Sequence, residues 1–90
     1  MSDRDRLRTA ATELRAAAEA TEGEASERLA KFADRVDGWA GRDSGPDHGA
    51  MAQVLLKLDG IADEVGGDPA ETIQTARSEI TEFRRTVEGV

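Results

Sequence analysis

Apolar residues recur every three or four positions in four separate segments of this 90-residue chain. This spacing places the apolar side chains of each segment on one face of an α-helix, and no segment alternates with period two for long enough to form a strand. The pattern therefore predicts an all-α protein of four helices. The apolar positions are Leu7, Ala11, Leu14 and Ala18; Ala25, Leu29, Phe32, Val36 and Trp39; Met51, Leu55, Leu58, Ala62 and Val65; and Ile73, Ala76, Ile80, Phe83 and Val87.

Glycines and potential N-caps mark the ends of these segments. Glycine favours helix termination, and a Ser, Thr or Asp followed three residues later by an acid can cap the first amides of a helix. Pro69 then falls at the first helical position after Asp68, where its missing N–H has no cost. The predicted stops are Gly23, Gly38 with Gly41, Gly66 with Gly67, and Gly89; the predicted starts are Ser2 with Asp5, Thr21 with Glu24, Ser44 with Asp47, and Asp68 with Glu71.

Short connections between helices of this length favour antiparallel neighbours. The sequence therefore predicts one domain over residues 1–90, an up-down-up-down antiparallel four-helix bundle. Two alternatives stay open: helical hairpins over residues 2–42 and 44–89 that complete the bundle by dimerisation, and a continuous helix through Gly23, where one glycine costs only about 1 kcal/mol.

Acidic residues outnumber basic ones by 19 to 12, which gives a net charge of -7, and the basic set contains ten arginines and two lysines. Acidic, lysine-poor surfaces are typical of proteins that stay soluble in molar salt, because carboxylates hold water while salt screens their repulsion. An acidic bacterial protein from a genome rich in G and C is the alternative. Either origin disfavours nucleic acid as a partner, since phosphate binding requires a basic surface.

Several function classes are disfavoured by residues that the sequence lacks. Without cysteine there are no disulfides, thiolate nucleophiles or cysteine-ligated zinc sites. No signal peptide or membrane-spanning segment is recognisable, which predicts a cytoplasmic protein with no membrane partner. There is also no glycine-rich phosphate loop, paired nucleophile and base, or cofactor fingerprint, so neither enzymatic activity nor a cofactor is expected.

The stretch "SGPDHGAM", residues 44–51, contains the only histidine of the chain, His48. Gly45 and Pro46 interrupt the chain, and Asp47 can accept the free amides of the next helix. The favoured interpretation is a junction, with His48 in the first helical turn near Trp39. The alternative is a small-molecule or metal site formed by Asp47 and His48 near Trp39, although a metal would need two further ligands.

Two other sequence features concern the protein surface: residues that could contact a partner, and a repeat of arginines. Leu56 lies off the apolar face of the third helix, and the first helix buries mostly alanine, which allows either close packing or a shallow groove for another chain. Since two-fold homodimers dominate among soluble oligomers, any partner is expected to be a second copy. Arginines also recur every seven residues at Arg28, Arg35 and Arg42. This repeat favours salt bridges along the flank of the bundle over an anion site.

Three stretches carry a resemblance to a known group of proteins: "AAAEATEGEASERLAKFAD", "GPDHG" and "EFRRTVEGV". With them the chain resembles an uncharacterised family of short acidic helical proteins from haloarchaea. The resemblance implies a helical fold and a saline habitat, and it implies no catalytic residues. The sequence as a whole predicts a non-enzymatic interaction or structural module adapted to high salt, with the Asp47 and His48 binder as the alternative.

Overall fold

A computed structural model describes residues 4–41 and 48–86 of the chain. It contains four α-helices and, within those two ranges, no strand: α1 Arg4–Glu19, α2 Gly23–Ala40, α3 His48–Val65 and α4 Gly67–Thr86. The helices pack together into a bundle that measures 37 × 19 × 19 Å, so the all-α prediction is confirmed. The predicted helix starts at Ser2 and Ser44 and the predicted stop at Gly89 lie outside the described residues.

Side-chain hydrogen bonds between helices show that neighbours run in opposite directions. Arg77 Nε donates to the carbonyl oxygen of Leu55 at 2.9 Å, and Gln74 Nε2 donates to Asp59 Oδ1 at 3.0 Å. The position on α3 therefore advances as the position on α4 retreats. Arg6 Nη1 reaches Glu79 Oε1 at 3.1 Å and joins the first helix to the last. Buried residues from all four helices form one hydrophobic core within the chain, which favours the single-chain bundle over paired hairpins.

The spacing between neighbouring helices is unequal. α1 packs extensively against both α2 and α4, and α3 packs against α4, whereas α2 and α3 approach each other at only a few positions. Alanines on the buried face of α1 allow close approach, and the short side chain of Ser26 on α2 donates to the carbonyl oxygen of Ala18 at 2.7 Å. The bundle is therefore a ring of four helices with one wide seam, between α2 and α3.

The core contains the predicted apolar positions and several more. Ala25, Phe32 and Val65 are only partly buried, while the other predicted positions in the described ranges are buried. Each helix touches two neighbours, so its buried face is wider than a single row of residues spaced by three and four. The additional buried residues are Ala10, Ala17, Ala33, Ala40, Val54 and Ile61.

Gly41 and Gly66 follow helix ends as predicted, whereas the stop at Gly38 and the N-caps at Thr21 and Asp68 are wrong, because Gly38 lies inside α2. Gly66, directly after α3, has a φ of +63°, a conformation that glycine adopts without steric cost. Thr21 does not cap α2, because its hydroxyl donates to the carbonyl oxygens of Ala17 at 3.0 Å and Ala18 at 3.2 Å, at the end of α1. α2 instead follows Glu22, which forms no side-chain cap bond.

The starts of α2 and α4 also differ from the prediction. Gly23 was expected to terminate the first helix, but it is the first residue of α2 and has a φ of +68°. α1 ends at Glu19, so the continuous helix through Gly23 is wrong. α4 begins at Gly67, one residue before Asp68, which places Asp68 in the first turn and Pro69 at the third helical position.

Candidate functional site

His48 is the first residue of α3, and the antiparallel packing of α3 and α4 places it beside Arg84. Arg84 Nε donates to His48 Nδ1 at 3.1 Å, and the histidine is half-buried. A ring nitrogen that accepts a hydrogen bond carries no proton, so the proton of the neutral imidazole lies on Nε2. In this arrangement neither ring nitrogen has a lone pair free for a metal or for a substrate proton.

The surroundings of His48 also disfavour a cation. A cavity of about 330 Å³ lies beside the ring and is lined by His48, Thr81, Arg84 and Arg85. Two guanidinium groups repel a metal ion, and the cavity suits a negatively charged group better. Across residues 4–41 and 48–86, no group of three or more acidic or histidine side chains is placed to hold a metal.

The other two members of the predicted site are placed as follows. Trp39 is buried in the core at 3% exposure, and the guanidinium carbon of Arg35 lies 5.9 Å from the centroid of its ring. Asp47 lies outside the described residues, so its pairing with His48 stays a prediction. The structure thus adds Arg84, on the fourth helix, as a partner of His48 that the sequence analysis missed.

Leu56 projects from the outer face of α3 with 73% exposure, which makes it the only exposed large hydrophobic residue in the described part of the chain. Gly49, Gln53 and Gly60 are also exposed and share this face, because they are spaced from Leu56 by three, four or seven residues. A Cβ atom added at Gly60 would meet no other atom within 4 Å. We call Gly49, Gln53, Leu56 and Gly60 the α3 strip; Asp59 and Asp63, three and seven residues after Leu56, lie on the same side of the helix.

A second surface feature lies in the wide seam between α2 and α3. A cavity of about 270 Å³ is lined by Arg28, Lys31, Phe32, Arg35 and Lys57, which we call the cationic groove. Both lysines of the chain line it. The sequence analysis missed this site because it interpreted Arg28 and Arg35 as flank salt-bridge partners and gave no role to the lysines. The available signal was the clustering of Arg28, Lys31 and Arg35 around Phe32.

Salt bridges join the other helix pairs. Arg15 on α1 contacts Asp34 of α2 at 3.1 Å and Asp37 at 3.6 Å, and Arg77 on α4 contacts Asp59 of α3 at 3.4 Å. These bridges are not the ones predicted from the seven-residue repeat: Arg35 forms no ion pair among the described residues and lies over the Trp39 ring, and Arg42 lies outside those residues. At the α2–α3 seam, Arg28 Nη1 lies 4.0 Å from Glu64 Oε2, the longest of these distances.

Glu13 on α1 is a partly buried carboxylate, and one of its oxygens accepts no hydrogen bond. In the described part of the molecule its Oε1 is the only buried side-chain oxygen or nitrogen without a hydrogen-bond partner. Burial, and then the charge of Glu79 on α4, raise the pKa of Glu13 above its ordinary value. The ionised side chain therefore lowers the stability of the folded chain at neutral pH.

Residues 1–86 match the model of a family of unknown function, DUF7553. The chain belongs to DUF7553. This confirms the predicted membership of an uncharacterised family, while the haloarchaeal origin stays a prediction. Neither curated proteins nor solved structures gave a match. None of the helices described for this DUF7553 chain is long and apolar enough to cross a membrane.

Proposed function

We propose that this DUF7553 protein is a non-enzymatic interaction module of a high-salt cytoplasm that associates with a second copy of itself through the α3 strip. The observation that carries the proposal is the 73% exposure of Leu56 beside the small or uncharged residues Gly49, Gln53 and Gly60. Large apolar side chains on the surface of a charged protein are favourable positions for a partner, since burying one removes apolar area from water.

Two-fold symmetry favours a second copy as the occupant of the strip. Each copy carries a net charge of -7, so two copies repel each other when their charged surfaces meet. In an antiparallel pair of α3 helices that sets Leu56 opposite Gly60, Asp63 lies opposite Gln53, so the carboxylates of this face do not oppose each other. Leu56 projects from the strip, and Gly60 leaves open space one turn further along, so a two-fold arrangement offers a gap for each leucine.

The size of the strip sets the strength of this association. α3 has 18 residues and is therefore about 27 Å long at ~1.5 Å per residue. One face of such a helix offers less than the roughly 800 Å² per partner that stable complexes bury. We therefore expect a weak dimer whose population rises with protein concentration.

Sedimentation equilibrium over a wide concentration range tests this proposal. The wild-type protein should shift from monomer towards dimer as concentration rises, and Leu56→Asp should remain monomeric. The matched control is Ala16→Asp, which adds the same charge at an exposed position of α1 and should associate like the wild type. A wild type that stays monomeric throughout, or a Leu56→Asp variant that dimerises equally well, overturns the proposal.

The non-enzymatic part of the proposal is supported by the state of the only histidine. Its Nδ1 already accepts a hydrogen bond from Arg84, so that atom does not offer a general base. The chain has no cysteine to act as a nucleophile. Substitution His48→Ala should leave every ligand affinity found in cell extract unchanged, and a lost affinity would instead favour a binding site at Asp47 and His48.

The high-salt part of the proposal is supported by the excess of 19 acidic over 12 basic residues. Salt screens the repulsion between these carboxylates, and the folded state brings them closer together than the unfolded state does. The midpoint of thermal unfolding should therefore rise with KCl from low to molar concentration. A midpoint that is constant or falls over this range would contradict adaptation to salt.

A further inference from the structure

We infer that the cationic groove between α2 and α3 binds an acidic, amphipathic helical segment of a partner protein. The groove lies on a different face from the α3 strip, since Lys57 projects towards α2 while Leu56 projects outward. The inference is therefore independent of the proposed self-association.

The shape of the groove follows from the unequal helix spacing. α2 and α3 make few contacts, and the space between them forms the 270 Å³ cavity. Arg28, Lys31 and Arg35 project from the α2 wall, and Lys57 projects from the α3 wall. Phe32 lies among these cations and is half-buried against the core, so part of its ring is available to a ligand.

The charges of the groove are unbalanced in a chain that has acids in excess. Among the residues that the structure describes, Lys31 and Lys57 form no ion pair, and Arg35 lies over the ring of Trp39. Arg28 reaches Glu64 only at 4.0 Å. By contrast, arginines elsewhere in the bundle contact carboxylates at distances near 3.1 Å. An anionic occupant would relieve the mutual repulsion of these four cations.

The spacing of the cations matches a helix better than a small anion. Arg28 and Arg35 are seven residues apart, about 10 Å along α2. A partner helix with carboxylates at every third or fourth position presents them at the same intervals, and an apolar side chain between them would meet Phe32. A small anion would engage only one or two of the cations and leave the phenyl ring uncovered.

The charge of the whole chain disfavours an extended polyanion. A nucleic acid longer than the groove would run onto the rest of a molecule whose net charge is -7. A short acidic helix confines its negative charge to the groove. The complementary partner is therefore a protein segment rich in Glu or Asp with one or two large apolar residues on the same face.

Titration of a synthetic peptide tests this inference. The probe is a fluorescently labelled helical peptide with glutamate at every third or fourth position and one leucine between them, and its control replaces each glutamate by glutamine. Measurements are made at KCl concentrations where far-UV circular dichroism shows the folded protein. The glutamate peptide should bind, with an affinity that falls as KCl rises, and it should shift the backbone amide NMR signals of residues 28–35 and 57.

Two double variants separate the groove from bulk charge. Lys31→Glu with Lys57→Glu should weaken binding at least about tenfold. Arg4→Glu with Arg8→Glu changes the net charge equally on α1, away from the groove and from the cavity beside His48, and should bind like the wild type. If the charge reversal unfolds the protein, Lys31→Gln with Lys57→Gln should show a smaller loss in the same direction.

Several results would overturn the inference: no binding, equal binding of the glutamine peptide, equal losses in the two double variants, or NMR shifts that map elsewhere. Tighter binding of an oligonucleotide at the groove would replace the acidic helix with a nucleic-acid partner. Failure here leaves the sedimentation result for Leu56→Asp unaffected, so this inference and the proposed function fail separately.

Discussion

Close packing of α1 can be tested at Ala17, which is 1% exposed on the face of α1 that meets its neighbours. Substitution Ala17→Leu adds three carbon atoms where the structure leaves room for one methyl group. Overpacking of this kind typically costs about 1–3 kcal/mol of unfolding free energy. For a chain of this size each kcal/mol lowers the melting temperature by roughly 4–8 °C, so a fall of about 4–24 °C is expected.

The adjacent residue provides the control. Ala16 is exposed on the same helix, so Ala16→Leu makes the same chemical change without entering the core and should shift unfolding by less than about 0.5 kcal/mol. Both variants are compared with the wild type by thermal and urea unfolding, followed by far-UV circular dichroism. If the two variants unfold together, α1 does not approach α2 and α4 closely, and the explanation of the unequal helix spacing is wrong.

Glu13→Gln should stabilise the folded chain at neutral pH by less than about 1 kcal/mol, because the site is only partly buried. The folded chain raises the pKa of Glu13 above its ordinary value of 4.5, so wild-type stability falls as pH rises through the range between those two pKa values. Urea unfolding at several pH values should show a smaller fall in unfolding free energy for Glu13→Gln than for the wild type, and equal falls would contradict the burial of Glu13. Gly38→Ala should stabilise the folded chain by about 0.5–1 kcal/mol, because Gly38 lies inside α2 with open space at its Cβ. Gly66→Ala should destabilise by about 1–2 kcal/mol, because of its positive φ; thermal unfolding of the pair should therefore give opposite signs.

The helices and most of the core could be predicted from apolar spacing alone. The pattern found one row of residues per helix and missed positions such as Ala17 and Val54, because contact with two neighbours widens the buried face. Gly41 and Gly66 follow helix ends as predicted, but Gly23 and Gly67 begin helices, because the freedom of a glycine backbone serves either end of a helix. Side-chain caps were less predictable: the Thr21 hydroxyl has carbonyl groups of the preceding helix within reach, and it donates to those.

The surface features could be predicted only in part. Leu56 was recognisable because it breaks the spacing of its own helix, and the structure confirms its exposure. The cationic groove requires two helices to be placed side by side, and nothing in the sequence shows that Lys57 faces the helix carrying Lys31 and Arg35. The same limit applies to His48, whose partner Arg84 lies 36 residues away.

The contact between α1 and α4 affects how the chain folds during its synthesis. Arg6 and Glu79 are 73 positions apart, yet they lie on helices that share a large part of the core. During synthesis on the ribosome, α1 can pair with α2 early, but half of its apolar side must stay exposed until the fourth helix has emerged. The nascent chain therefore passes through a stage in which its alanine and leucine face is open to chaperones or to neighbouring chains.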